Sequence, residues 1–213
     1  MDTKVLIGVS TGEYGRRADF YDYLNMLEKP GETMIMLAHD RSPARNRNII
    51  FDGAREHNCT HILLIDDDMT YEADALKRLL AHDKDIVTGL YLGRAYPHQP
   101  LIFDLINEDG EALYSYLDGE LPPLMPIEAA GFGFCLIKTP VLSKLERPYV
   151  RIGELDPEQW CDDIGFFGRV KKAGVKSFCD TTVCCGHIGT VIIKPVLKDG
   201  AWHTLYDTNG KSG

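Results

Sequence analysis

Three consecutive carboxylates, Asp66, Asp67 and Asp68, follow the apolar run Ile62-Leu63-Leu64-Ile65. Held at the end of a buried strand, Asp66 and Asp68 repel one another and raise each other's pKa unless a cation or hydrogen bonds compensate. A divalent ion is the natural compensation, because carboxylate oxygens are hard ligands suited to Mg²⁺ or Mn²⁺, and those ions bind phosphate oxygens in turn. The plain alternative is an exposed acidic turn that caps the next helix, with Thr70 or Asp68 as N-cap and Glu72 meeting the helix dipole.

The elements that would position these acids can be read from periodicity. Val5, Leu6, Ile7 and Val9 make a first strand over 4–10, the near-continuous apolar run of a strand buried in a parallel sheet. Phe20, Leu24 and Leu27 fall at helical spacing over 17–27, and Pro30-Gly31 ends that helix. A second strand covers 33–38. Ser42-Pro43 places a capping residue before a proline suited to the first helical position, so a helix runs to about residue 57. Strands at 62–65 and 85–91 flank a helix over 71–82 whose Ala75, Leu76, Leu79 and Leu80 share a face. Alternation of strand and helix predicts an α/β fold, a mostly parallel sheet with helices on both faces. Ligands bind at the carboxyl edge of such sheets, where the acids stand.

From 95 to 125 the periodicity fades amid Pro97, Pro100, Gly110, Gly119, Pro122 and Pro123, which reads as loops with short strands or a hairpin. A strand resumes over 127–137, around Gly131-Phe132-Gly133-Phe134. Thr139-Pro140 opens a short helix, another spans 163–173 and stops at Gly174, and 175–178 is a late strand. The expected organisation is one domain over 1–206, with a nucleotide-binding half (1–94), an acceptor-binding half (95–206) and a flexible tail at 207–213.

The 213 residues are 44% hydrophobic and 26% charged, a globular composition that excludes fibrous and largely disordered chains. No apolar run approaches the roughly 20 residues that cross a bilayer, so no membrane span is expected. The N-terminus lacks the pattern of a secretory signal. Six irregularly spaced cysteines then read as reduced core thiols, and a cytoplasmic address follows. A net charge of −9 disfavours broad nucleic-acid binding, although Arg41, Arg45 and Arg47 form a local basic patch.

The order of motifs resembles that of GT-A fold glycosyltransferases, in particular small soluble family-two-like members of bacteria and phages. The resemblance covers residues 4 to 190. It rests on Ile65-Asp66-Asp67-Asp68 as an Asp-X-Asp region, Asp83-Lys84-Asp85-Ile86-Val87-Thr88-Gly89 after a helix, the earlier Ala44-Arg45-Asn46, and the later Trp160-Cys161-Asp162-Asp163 and Cys185-Gly186-His187. It implies that Asp66 contacts the ribose of a nucleotide-sugar donor, a UDP-sugar, and that Asp68 and His187, with Asp66 beside them, hold a Mn²⁺ or Mg²⁺ that bridges the donor diphosphate. Asp67 is a further nucleotide contact. By the same resemblance Asp163 is the general base of an inverting transfer to an acceptor hydroxyl, with Asp162 beside it on the acceptor. Asp162 departs from the glutamate common at that place and has a shorter reach.

Other residues join the candidate site with a bland reading beside each. Arg45, in the first turn of its helix, would meet an anionic donor together with the helix amides, or would simply be solvated. Thr11 ends the first strand, where the nucleotide base sits in such sheets. Gly131 and Gly133 would line donor sugar and acceptor, or be part of a packed strand. Trp160 would stack on a sugar ring or anchor a helix. The acceptor could be a glycan, a small molecule, a protein or a modified nucleic-acid base.

Three readings compete. Asp66-X-Asp68-X-Thr70 also fits the first motif of haloacid-dehalogenase-like phosphatases, with Thr88, Lys138 or Lys144, and Asp162-Asp163 as later motifs; against it, two strand-helix units precede Asp66. A non-catalytic nucleotide-sugar-binding domain would share the metal pair but has no use for Asp163. A zinc module from Cys161, Cys179, Cys184, Cys185 and His187 lacks paired Cys-X-X-Cys spacing, and neighbours 184 and 185 face opposite ways on a strand.

Overall fold

A computed structural model describes residues 2–12, 18–29, 31–106, 112–115, 117–151, 162–189 and 192–207. The chain begins with β1 (Lys4–Thr11), α1 (Ala18–Met26), β2 (Glu32–His39), α2 (Pro43–Glu56), β3 (His61–Asp66) and β4 (Met69–Thr70). There follow α3 (Ala75–Ala81), β5 (Ile86–Leu90), β6 (Ile102–Ile106), β7 (Ala112–Tyr114), β8 (Leu124–Ile127) and β9 (Ala129–Ala130). The remainder is β10 (Phe134–Lys138), a 3-10 helix (Thr139–Lys144), α4 (Asp162–Lys172), β11 (Ser177–Cys184), β12 (Gly186–Ile188), β13 (Ile192–Lys198) and β14 (Ala201–Asp207).

The main sheet has seven strands in the order β2-β1-β3-β10-β5-β11-β8. β1, β2 and β3 pair in parallel, as do β5 and β11, while β10 and β8 run against them. Alternate residues feed opposite faces. Val5, Ile7, Val9, Leu63 and Ile65 pack with Phe20 and Leu24 of α1 and Leu76 and Leu79 of α3. Leu6, Ile62 and Leu64 pack on the other face with Ile50 and Phe51 of α2 and Phe166 and Phe167 of α4. Each of these side chains, fully buried, contributes about 1.5–3 kcal/mol, which is why the strand sequences are apolar at consecutive positions. Gly8 lets α2 close on the sheet, since a Cβ there would stand 2.1 Å from Ile50 Cγ2. At the start of α2, Ser42 Oγ accepts the Arg45 amide and Pro43 occupies the first turn.

The structure departs from the sequence reading in three places. The helix expected from residue 71 begins only at Ala75, because Met69 and Thr70 form β4 and pair antiparallel with β12. The strand expected over 127–137 is three pieces. β8 lies on β11 in the main sheet, β9 pairs with β6 in a three-stranded sheet with β7, and β10 returns to the main sheet beyond a break at Gly131-Phe132-Gly133. Finally, β13 and β14 form a hairpin that joins β12 and β4 in a four-stranded sheet. Its two-residue turn, Asp199-Gly200, has both φ values positive (54° and 75°), the backbone a tight antiparallel hairpin needs. Asp207 is the last residue of β14, and 208–213 lie outside the described residues.

Cys59, Cys135, Cys179, Cys184 and Cys185 are free thiols, buried except for the partly exposed Cys184. Burial pushes the Cys184 thiol up to about 11. Among the described residues no helix is long and apolar enough to cross a membrane.

Candidate active site

β3 is the inner strand of the parallel trio β2-β1-β3, with the parallel β1 on one side and the antiparallel β10 on the other. Asp66 is its last residue, opposite Ser10 of β1, and its amide donates to the Gly133 carbonyl at 3.2 Å. Its side chain meets Arg47 Nη2 at 3.1 Å. That guanidinium is only 6% exposed and lies 5.0 Å from the centroid of the Phe132 ring. Charge and ring together fix where the Asp66 carboxylate stands.

Asp67 occupies the turn between β3 and β4 and is partly exposed. Asp68 is held by its own backbone, whose carbonyl accepts the Ile188 amide at 2.6 Å. The pairing of β4 with β12 sets His187 beside Met69, and so brings His187 Nε2 to 3.4 Å from Asp68 Oδ2. Gly186 permits that close pairing, because a Cβ there would lie 2.3 Å from Thr70 Oγ1. His187 Nδ1 is 3.0 Å from the Leu92 carbonyl. A carbonyl only accepts, so Nδ1 carries a proton towards Leu92 and the ring is oriented with Nε2 facing Asp68. The Arg94 guanidinium reaches the same carboxylate oxygen, with Nη1 2.9 Å from Asp68 Oδ2.

Neither Asp68 nor Thr70 caps α3, whose N-cap is Asp74. The reading of the acidic run as a helix cap is therefore corrected: its carboxylates face Arg47, Arg94 and His187 instead.

Asp162 is the first residue of α4, and its side chain is outside the described part of the structure, as is Trp160. Asp163 Oδ1 accepts the amide of Ile164 at 2.9 Å. Its Oδ2 lies 3.5 Å from the point a Gly131 Cβ would occupy, and the Tyr91 hydroxyl lies 2.1 Å from that same point. Tyr91 is thus the hub of this side of the site. Its hydroxyl accepts the Gly133 amide at 2.9 Å, and its ring meets the His187 imidazole edge-on at 5.8 Å. Burial first, and then the carboxylates of Asp66 and Asp163, push the phenol well above its ordinary value, against the Gly133 amide and Arg47. Burial, followed by Asp163, also raises Cys135. Both Asp66 and Asp163 therefore bear on the Tyr91 phenol.

The two glycines are buried, and the space they leave is filled by Tyr91: a Cβ at Gly133 would stand 2.8 Å from its Cζ. Thr11 is also buried, and its carbonyl accepts Asn46 Nδ2 at 3.2 Å. Asn46 Nδ2 also donates to Ser10 Oγ and the Asp40 carbonyl, tying the ends of β1 and β2 to α2. Arg45 is 77% exposed, faces Asp40 at 3.8 Å, and is not the arginine of α2 that meets Asp66. That residue is Arg47, which sequence reasoning named only as part of a basic patch. Its signal was present: Arg47, Ile50, Phe51 and Ala54 recur at helical spacing on the buried stripe of α2. Tyr91 and Arg94 were missed altogether. Tyr91 lies next to the wholly buried β5, where every side chain is inside, and Arg94 lies in a loop without periodicity.

The donor set fits a divalent ion in chemistry: a carboxylate oxygen and an imidazole nitrogen, the latter oriented by its second nitrogen. It is short in number, since no group of three or more His, Cys, Asp or Glu side chains is arranged for a metal among the described residues. Water and donor phosphate oxygens commonly complete such sites.

Comparison with known proteins adds the fold. No family model matches the sequence, and no curated protein does either. Among solved structures, A197 from STIV, a viral protein, superposes with a TM-score of 0.63 at 14% identity, over 96% of this chain and 94% of that one. GalNAc-T7, solved with UDP, GalNAc and Mn²⁺, superposes with a TM-score of 0.53 at 11% identity, over 88% of this chain and 44% of that one. The chain has the GT-A fold, and at these identities the likeness is one of fold.

Proposed function

We propose that the chain is a metal-dependent glycosyltransferase that moves a sugar from a UDP-sugar to an acceptor hydroxyl with inversion at the anomeric carbon. The observation that carries this reading is the convergence, on the carboxyl edge of a GT-A sheet, of Asp68 and a His187 oriented by the Leu92 carbonyl, 3.4 Å apart, with Asp163 near Gly131 and the Tyr91 hydroxyl. GalNAc-T7, which shares the fold, was solved with UDP and Mn²⁺, and that supports the choice of donor and ion. Nothing in the comparisons favours the phosphatase reading.

Asp68 and His187 would hold the ion, whose part is to neutralise the diphosphate as it leaves. Asp66, fixed by Arg47, would take the ribose, and Thr11 and Asp67 would border the nucleotide. Asp163 would accept the proton of the acceptor hydroxyl while that oxygen forms its bond to the anomeric carbon. The bond between that carbon and the diphosphate oxygen breaks on the opposite face, and its electron pair leaves with UDP. Gly131 and Gly133 would serve by leaving the space that Tyr91 fills. Arg45 is left to the rim.

The test is UDP release from a panel of UDP-sugars with and without Mn²⁺. Release by the wild type, lost without Mn²⁺ and in Asp68→Ala, and retention of donor binding with loss of turnover in Asp163→Asn, is the expected pattern. Release that persists unchanged in Asp68→Ala would remove the metal assignment. A product whose anomeric configuration matches the donor's would remove inversion.

A further inference from the structure

One charge at the site is not used by the reaction just described. Arg94 is 53% exposed, yet its guanidinium contacts the one oxygen of Asp68 that also faces His187, and Asp68 itself is only 15% exposed. Arg94 stands in a loop whose base is closed. Leu92 bridges Pro100, the Gly93 amide donates to the Gln99 carbonyl at 2.8 Å, and the Leu101 amide donates to Tyr91 at 3.0 Å. His98 braces the loop from inside, with its ring 5.5 Å from Tyr206 of β14 and Nδ1 on the Gly93 carbonyl at 3.0 Å. The tip from Arg94 to Pro97 is exposed. The side chain of Arg94 can therefore leave Asp68 without the loop opening. The same loop supplies the Leu92 carbonyl that orients His187, so metal ligand and arginine share one support.

We propose that Arg94 is an exchangeable counterion: it neutralises Asp68 while the site lacks a cation, yields that oxygen when a divalent ion binds, and then pairs with the diphosphate of the donor. This rests on the functional reading above. The physical ground is that a guanidinium 2.9 Å from Asp68 Oδ2 and a dication at the same oxygen repel one another, whereas a diphosphate brings new anionic oxygens to the same place. The arginine thus lowers affinity for the bare ion and raises affinity for the ion together with the nucleotide.

The test is calorimetric titration of Mn²⁺ alone, and of UDP in saturating Mn²⁺, into the wild type, Arg94→Met, Arg94→Lys and Asp68→Ala. Removing a half-exposed competitor should tighten Mn²⁺ by about two- to fivefold in Arg94→Met, the range expected for an ion pair with one solvated partner. In the same variant UDP should bind more weakly, by about tenfold or more, and Arg94→Lys should fall between on both counts. A fold-wide defect would weaken both ligands, so opposite signs in one variant are the signature. Mn²⁺ affinity unchanged or weakened in Arg94→Met, or UDP affinity unchanged, overturns the proposal. If the wild type and Asp68→Ala bind Mn²⁺ alike, it is the metal assignment that has failed.

Discussion

Arg45 and Arg47 are separated by one residue on α2, and replacing each by methionine should give very different proteins. Arg45 is mostly solvated and its nearest acid is 3.8 Å away, so Arg45→Met should change stability by less than about 0.5 kcal/mol. Arg47 is 6% exposed and pairs with an Asp66 that is 33% exposed. Breaking such a pair costs less than the 3–5 kcal/mol of a fully buried one and more than the roughly 0.2–1 kcal/mol of an exposed one, so about 2 kcal/mol is reasonable. Loss of the guanidinium over Phe132 adds about 0.5–1 kcal/mol, while methionine retains much of the stem's packing. The sum, about 2–3 kcal/mol, corresponds to about 4–12 °C in Tm for a chain of this length. Urea and thermal melts of the two variants beside the wild type provide the comparison. Equal effects, or a larger loss in Arg45→Met, would refute the assignment of Arg47 as the buried partner of Asp66.

Two further outcomes follow from packing and linkage. Gly131→Ala should cost about 1–3 kcal/mol by driving a methyl into the Tyr91 hydroxyl, and the double variant with Tyr91→Phe should be more stable than Gly131→Ala alone, although Tyr91→Phe by itself strips the Gly133 amide of its acceptor; urea melts of the four proteins test this coupling, and strictly additive losses would contradict it. Asp180 bonds to His82 at 2.8 Å and to Thr182, and these bonds outweigh the burial that acts against them, so its carboxyl titrates below the ordinary value. Its contribution to stability is present above the unfolded value of about 3.9 and is lost as pH falls through the lower folded value, so Asp180→Asn should flatten the acid limb of the stability curve below about pH 4.

Much of the fold over 1–94 was legible because its central strands are apolar on both faces and its longest helix is capped at Ser42-Pro43. Those are local signals, and they survived folding: α2 begins at Pro43 as its cap implies, and β3 ends on Asp66. What escaped was set by pairing between distant segments. Met69 and Thr70 look like the lead-in to a helix until Gly186 and His187 arrive from more than a hundred residues away to pair with them. The Asp68–His187 contact is a product of that pairing. Arg45 was favoured over Arg47 because helix-terminus chemistry was weighed and the phase of the buried stripe was not. The terminal hairpin carried a recognisable Asp199-Gly200 turn, but its strands are half exposed and lack the apolar alternation that marks the central sheet.

The measurement that bears most directly on the account is calorimetric titration of UDP into the wild type and Asp68→Ala, each with and without Mn²⁺. UDP binding should be saturable and should require both the ion and the carboxylate. UDP binding of equal strength in all four conditions, or in none, would contradict it.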